Sequence, residues 1–209
     1  FNFASGWASS QIPFDFKIRK GGEIGEMYGY MSDGRYEISD FTYDPLTQDY
    51  TLNSGVANNS GIVGDPMPGN MKLKDISGPD DITLIGNANP GVTGGFVINA
   101  NAHGFDLSAA FNYTVGNDIY NANKVEFTTS NQNGQYRNLS TEMSDGIRWT
   151  NLNPTTGELV TEPADLAALN QNTTLWSPYS QNYVFSDWAV EDGSFLRLNT
   201  LTLGYTLKP

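Results

Sequence analysis

Apolar and polar residues alternate with period two across residues 96–115, the spacing of a strand with one apolar and one polar face. Phe96, Ile98, Ala100 and Ala102 form one set, interleaved with Val97, Asn99, Asn101 and His103. After a break at His103-Gly104, the residues Phe105, Leu107, Ala109, Phe111, Tyr113 and Val115 alternate with Asp106, Ser108, Ala110, Asn112, Thr114 and Gly116. The pattern predicts a β-hairpin within residues 91–118 that turns at His103-Gly104. Its second strand is about 11 residues long, which suits a tilted membrane-spanning strand. A further strand is predicted over residues 194–208, with Leu201, Leu203, Tyr205 and Leu207 opposite Thr200, Thr202, Gly204 and Thr206. Leu196 and Leu198 are out of phase with this set, which predicts a bulge near Asn199. Residues 1–8 read as the last part of a fourth strand.

Two long polar segments separate these strands, residues 11–90 and 119–187, both rich in Gly, Asn, Asp, Ser, Thr and Pro. Loops of that length are uncommon in compact soluble domains. They are normal on the outer face of an outer-membrane barrel, opposite short periplasmic turns. The expected fold class is therefore all-β: across residues 1–209, a partial antiparallel transmembrane β-barrel with long extracellular loops. One short helix is expected inside the second segment, with Pro163 in its first turn and Thr161 or Glu162 near the cap.

Composition narrows the function. The 209 residues contain no cysteine, which excludes disulfide scaffolds, thiolate zinc sites and cysteine nucleophiles. The formal charge of −12 opposes a nucleic-acid partner, since the basic residues cluster only at Lys17, Arg19 and Lys20. No run of roughly 18 apolar residues predicts a transmembrane helix, a test that does not bear on β-strands. The chain starts at Phe1 without the features of a signal peptide, so a processed or partial polypeptide is expected.

Candidate chemistry is sparse. Asp75, Asp80 and Asp81 supply oxygens for a structural calcium ion, although Pro79 stiffens the segment and the spacing departs from that of calcium loops. The alternative is a solvated acidic turn. His103 stands alone and reads as a turn residue. Gly91-Val92-Thr93-Gly94-Gly95 lacks the Lys-Ser/Thr of a phosphate loop. Neighbouring acids such as Asp80-Asp81 and Glu191-Asp192 do not amount to a glycosidase pair facing across a cleft. No catalytic set is legible, no other cofactor is expected, and a non-enzymatic role is expected. Trp149, Trp176, Tyr179 and Tyr183 lie in polar sequence, where aromatic faces stack on sugars or fill recognition pockets. The competing reading has them packing loop on loop or forming an interfacial girdle, the stronger reading for Tyr113, Tyr120, Trp188 and Tyr205.

Several ordered phrases carry a family resemblance. Gly25-Glu26-Met27-Tyr28-Gly29-Tyr30 precedes Asp33-Gly34, and Pro68-Gly69-Asn70-Met71-Lys72-Leu73-Lys74-Asp75 follows. Then come Ile85-Gly86-Asn87-Ala88-Asn89-Pro90, Gly94-Gly95-Phe96, Gly104-Phe105-Asp106-Leu107-Ser108 and Gly116-Asn117-Asp118-Ile119-Tyr120-Asn121. Val190-Glu191-Asp192-Gly193-Ser194-Phe195-Leu196-Arg197-Leu198 and Leu201-Thr202-Leu203-Gly204-Tyr205-Thr206-Leu207 close the series. Their order and spacing resemble the C-terminal β-barrel portion of SusC/RagA-type TonB-dependent outer-membrane transporters. The resemblance implies glycan or peptide uptake across the outer membrane of a Gram-negative bacterium. It implies as partners a SusD-like lipoprotein, the remaining barrel and plug of the same transporter, outer-membrane lipid, and TonB acting on an N-terminal region not present in this sequence. The acidic stretch at Asp75–Asp81 departs from the family's pattern. The alternative reading is a soluble, secreted β-sandwich that binds carbohydrate; a β-rich glycan hydrolase is a third class.

Overall fold

The structure is a computed structural model that describes residues 21–76, 78, 81–130, 138–179 and 182–207. The possible strand at residues 1–8 and the basic cluster at Lys17–Lys20 lie outside the described residues. In chain order the strands are β1 (Glu26–Gly29), β2 (Ser32–Arg35), β3 (Phe41–Asp44), β4 (Asp49–Leu52), β5 (Met71–Leu73), β6 (Thr83–Asn87), β7 (Val92–Ala102), β8 (Phe105–Val115), β9 (Asp118–Tyr120), β10 (Val190–Asp192) and β11 (Phe195–Tyr205). Two short helices, α1 (Ala122–Thr128) and α2 (Pro163–Asn170), lie between β9 and β10.

The alternating residues form one antiparallel sheet in the order β11-β8-β7. Strands β7 and β8 pair without interruption from Val92↔Val115 to Ala102↔Phe105. His103 and Gly104 join them with φ of 52° and 89°. Two consecutive positive-φ residues make the primed hairpin turn, whose twist matches that of the strands. Strand β11 pairs with β8 from Tyr205↔Phe105 to Phe195↔Thr114, with one register shift between Leu198 and Thr200. Asn199 is the extra residue. A one-residue bulge reverses the phase of alternation. It thereby puts Leu196 and Leu198, opposite Tyr113 and Phe111, on the same face as Leu201 and Leu203, opposite Ala109 and Leu107.

That face is apolar across all three strands and lies open. Leu201 and Leu203 are 62% and 71% exposed, and Val92, Phe96, Ile98, Phe105, Val115, Leu196 and Leu198 are exposed as well. Each strand has eleven residues. At about 3.4 Å per residue that is about 37 Å of strand, or about 26 Å along the normal when tilted about 45°. The apolar band of an outer-membrane barrel is about 25 Å tall. The opposite face is mostly polar, with rows Asn101-Asp106-Gly204, Asn99-Ser108-Thr202 and Gly95-Asn112-Arg197 across the strands.

The two long polar segments are more ordered than open loops. Residues 26–87 contain six strands, in the pairs β1-β6, β2-β5 and β3-β4, while β9 pairs with β10. They fold against each other around two small apolar clusters. The first joins Ile62, Val63, Met71 and Leu73 with Met143 and Trp176. The second is Val125, Phe185 and Ala189, flanked by Met27, Ile85 and Tyr120. Hydrogen bonds tie the halves together: Tyr30 N–H donates to Phe185 O (3.0 Å), Asp187 N–H to Tyr30 O (3.0 Å) and Ser32 N–H to Asp187 Oδ1 (2.8 Å). Gly29 is required in this seam, because a Cβ there would come 2.6 Å from Ile85 and 2.7 Å from the Phe185 carbonyl. We call this unit the cap.

The cap grows directly from the sheet. Strands β8 and β11 run on into β9 and β10, and the junction is held by Gly193 N–H to Asn117 O (2.8 Å) and Gly116 N–H to Ser194 Oγ (2.9 Å). Glu191 and Asp192 are therefore strand residues of β10. Glu191 accepts from Lys124 (3.3 Å) and Asn121 (3.2 Å), fastening α1 to β10. The helix at Pro163 forms with Glu162 as its cap residue. Tyr120 packs edge-on against Phe185 (4.7 Å) and Trp188 against Trp176 (4.8 Å), so both belong to the cap interior and not to an interfacial girdle.

Candidate functional site

A cavity of about 640 Å³ opens between the two halves of the cap. One wall comes from Tyr50 on β4 and from residues 63–70; the other comes from residues 149–161, Leu166 on α2, and Tyr179. The β3-β4 hairpin owes its position to two phenols. Tyr50 O–H donates to Thr161 O (2.6 Å) and Tyr43 O–H to Glu162 Oε1 (3.0 Å). The Tyr43 and Tyr50 rings pack at 4.9 Å. Burial pushes the Tyr50 phenol pKa up, and the neighbouring Tyr43 and Glu162 add to the shift.

The back wall rests on Trp149, which is 3% exposed. Its indole lies against Gly69, where φ is +87° and any Cβ would overlap the ring. Arg35 covers the ring at 4.7 Å and donates onward to Thr173 Oγ1 (2.7 Å) and Leu175 O (3.2 Å). Ser177 N–H donates to Gly69 O (2.7 Å), closing the seam behind the cavity. Beneath it, Tyr36 O–H reaches Ala57 O (2.6 Å) and Asn59 Oδ1, and Asn59 Nδ2 donates to Met71 O (3.2 Å).

Of the aromatics singled out by sequence, Trp149 and Tyr179 line this cavity. Trp176 is buried in the first cluster, and Tyr183 packs against the second. Sequence reasoning passed over Tyr50, Met67 and Leu159. The signal available for Tyr50 was the turn-rich Asp44-Pro45 stretch between two short aromatic runs. Asp75 and Asp81 are exposed, and Asp80 lies outside the described residues. Among the described residues no three metal-ligating side chains converge.

Strand length, the open apolar face and the tight turn define the class: a segment of an antiparallel transmembrane β-barrel, carrying its folded connecting loops. Comparison with known proteins makes this more particular. No family model matches the chain. It is 26% identical over 195 residues to the TonB-dependent receptor P3 of Formosa agariphila, covering 91% of this chain and 16% of that protein. It is 28% identical over 220 residues to the TonB-dependent receptor P39 of the same organism, covering 93% of this chain and 20% of that protein. The chain thus spans a fifth or less of the length of these curated relatives. A structure of the RagAB peptide importer in its closed-closed state superposes with a TM-score of 0.47 at 23% identity, over 88% of this chain and 16% of that one. By sequence, most of the chain is similar to a part of these TonB-dependent receptors.

Proposed function

We propose that this chain forms part of the wall and external cap of a TonB-dependent outer-membrane importer that takes up glycans or peptides with a SusD-like surface lipoprotein. The observation that carries the reading is the three-stranded sheet: a lipid-matched apolar face with a two-residue turn at one end and a folded cap at the other. The apolar face meets lipid, because a bilayer is the environment in which so many exposed leucines cost nothing. Asn99, Asn101, Asp106, Asn112 and Thr202 share the opposite face and line an aqueous passage. The sheet edges at β7 and β11 need further strands, since unpaired backbone groups are costly in hydrocarbon. A secreted sandwich would cover the apolar face with a second sheet, and among the described residues no strand lies on it.

The test uses the full polypeptide that carries this segment, expressed in the outer membrane of a Gram-negative host. Growth on oligosaccharides or peptides as sole nutrient should require that polypeptide, a functional TonB and the companion lipoprotein. Recovery of the 209-residue chain as a detergent-free, monodisperse soluble protein would overturn the reading.

A further inference from the structure

The cap cavity has a chemistry that selects among cargoes. Its volume falls within the range of about 300–1,000 Å³ typical of ligand pockets. Val63, Met67, Leu159, Val160 and Leu166 supply much of the lining. Among the polar lining groups, Tyr50 O–H is held by Thr161 O (2.6 Å) and Asn70 Nδ2 donates to Asp65 O (3.2 Å), while Gln48, Asn151 and Ser177 complete the polar part of the wall. The tyrosine therefore offers its ring more than its hydroxyl. Around the mouth, Met67, Leu159 and Tyr179 stay 45%, 60% and 40% exposed, a rim of apolar surface held in water. Asp65 is the one acidic residue among the lining residues, in a chain of formal net charge −12.

We propose that this cavity is an anchor site for a bulky apolar side chain of a neutral or basic peptide. Gln48, Asn151 and Ser177 also line the cavity, so a saccharide is the competing occupant, and the hexasaccharide arm of the test decides against or for it. An aromatic or leucine side chain fills the same space and covers the exposed rim. Asp65 disfavours acidic peptides and favours a lysine or arginine beside the anchor. The proposal rests on the importer reading only in treating the peptide as cargo.

The test measures binding by calorimetry to the full polypeptide purified in detergent. The probes are the hexapeptide Gly-Gly-Phe-Gly-Gly-Lys, its Phe→Ala and Lys→Asp forms, and a neutral linear hexasaccharide. The Phe peptide should bind at least tenfold more tightly than the Ala form, with the Asp form weaker and the hexasaccharide without effect as a competitor. Leu159→Asp and Met67→Asp, both at exposed rim positions, should each lose at least tenfold while the protein still reaches the outer membrane. Asp65→Asn should narrow the Lys-over-Asp preference. Equal binding of the Phe and Ala peptides, unchanged affinity in both rim variants, competition by the hexasaccharide, or no binding because another segment of the polypeptide fills the cavity would each overturn the proposal. If TonB-dependent import persists while the rim variants bind normally, only the cavity assignment fails. If import never depends on TonB, it is the importer reading that fails.

Discussion

Replacing Leu201 by arginine tests the lipid-facing assignment at its most sensitive point. Leu201 is the seventh of eleven residues of β11, one position from the strand centre. At about 3.4 Å per residue and a tilt of about 45°, that is about 2.4 Å from the midplane of the apolar band. Its side chain is 62% exposed beside Ala109, so the guanidinium would have no protein groove to enter. Arginine at the midplane of an outer-membrane barrel costs about 2–4 kcal/mol, falling to about 0–1 kcal/mol near the interfaces. The folded-to-unfolded ratio should therefore drop about 30- to 900-fold for Leu201→Arg. Val115→Arg, on the same face at a strand end, should change it about fivefold or less. Thr202→Arg, on the polar face, should leave it close to unchanged. The assay is denaturant unfolding of the full polypeptide in lipid vesicles, followed by heat-modifiable gel migration. A flat profile, with Val115→Arg as harmful as Leu201→Arg, would refute a depth-dependent lipid environment. Equal damage from Thr202→Arg would refute the assignment of faces.

Deleting Asn199 should remove the bulge yet keep every leucine of β11 on its present face, whereas deleting Thr202 reverses part of the strand; outer-membrane assembly should survive the first and fail for the second. Gly69→Ala combines a left-handed backbone cost of about 1–2 kcal/mol with overlap on Trp149, and should expose that indole to acrylamide quenching while the sheet stays assembled. Tyr36→Phe leaves the Ala57 carbonyl and Asn59 Oδ1 without their donor and should cost the cap about 1–3 kcal/mol, read by hydrogen exchange. Burial holds the Tyr36 phenol pKa above its ordinary value of 10.0. Its contribution is therefore fully present below pH 10 and is lost as pH rises through the folded pKa. Phenolate absorbance should show a late-titrating group that Tyr36→Phe removes.

The sheet was legible in sequence because one apolar and one polar face impose strict alternation, and a bulge leaves a one-residue phase error that can be read directly at Leu198 and Leu201. Pro163 likewise announced α2 through its fixed φ. The cap was not legible. Its strands are three to five residues long, too short for periodicity, and they are held by distant partners such as Tyr50 with Thr161. Helix α1, seven residues capped by Asn121, is shorter than a recognisable amphipathic repeat. Trp149 and Tyr179 stood out as aromatics in polar sequence. So did Trp176 and Tyr183, and nothing local separates a ring that lines a cavity from one that packs in or against a core. That distinction is made by the residues that arrive from the other half of the cap.

The seam between the halves also bears on inheritance. Ser32, Arg35, Tyr43 and Tyr50 all find their partners between Thr161 and Asp187, across more than a hundred residues of chain. Transplanting either half alone from a relative would bring phenols without acceptors and glycines beneath the wrong rings. Recombination can therefore exchange these segments only as a matched pair, with the hairpin between them carried along. New recognition surfaces in this part of the molecule should arise by co-inherited replacement of both halves, not by grafting single loops.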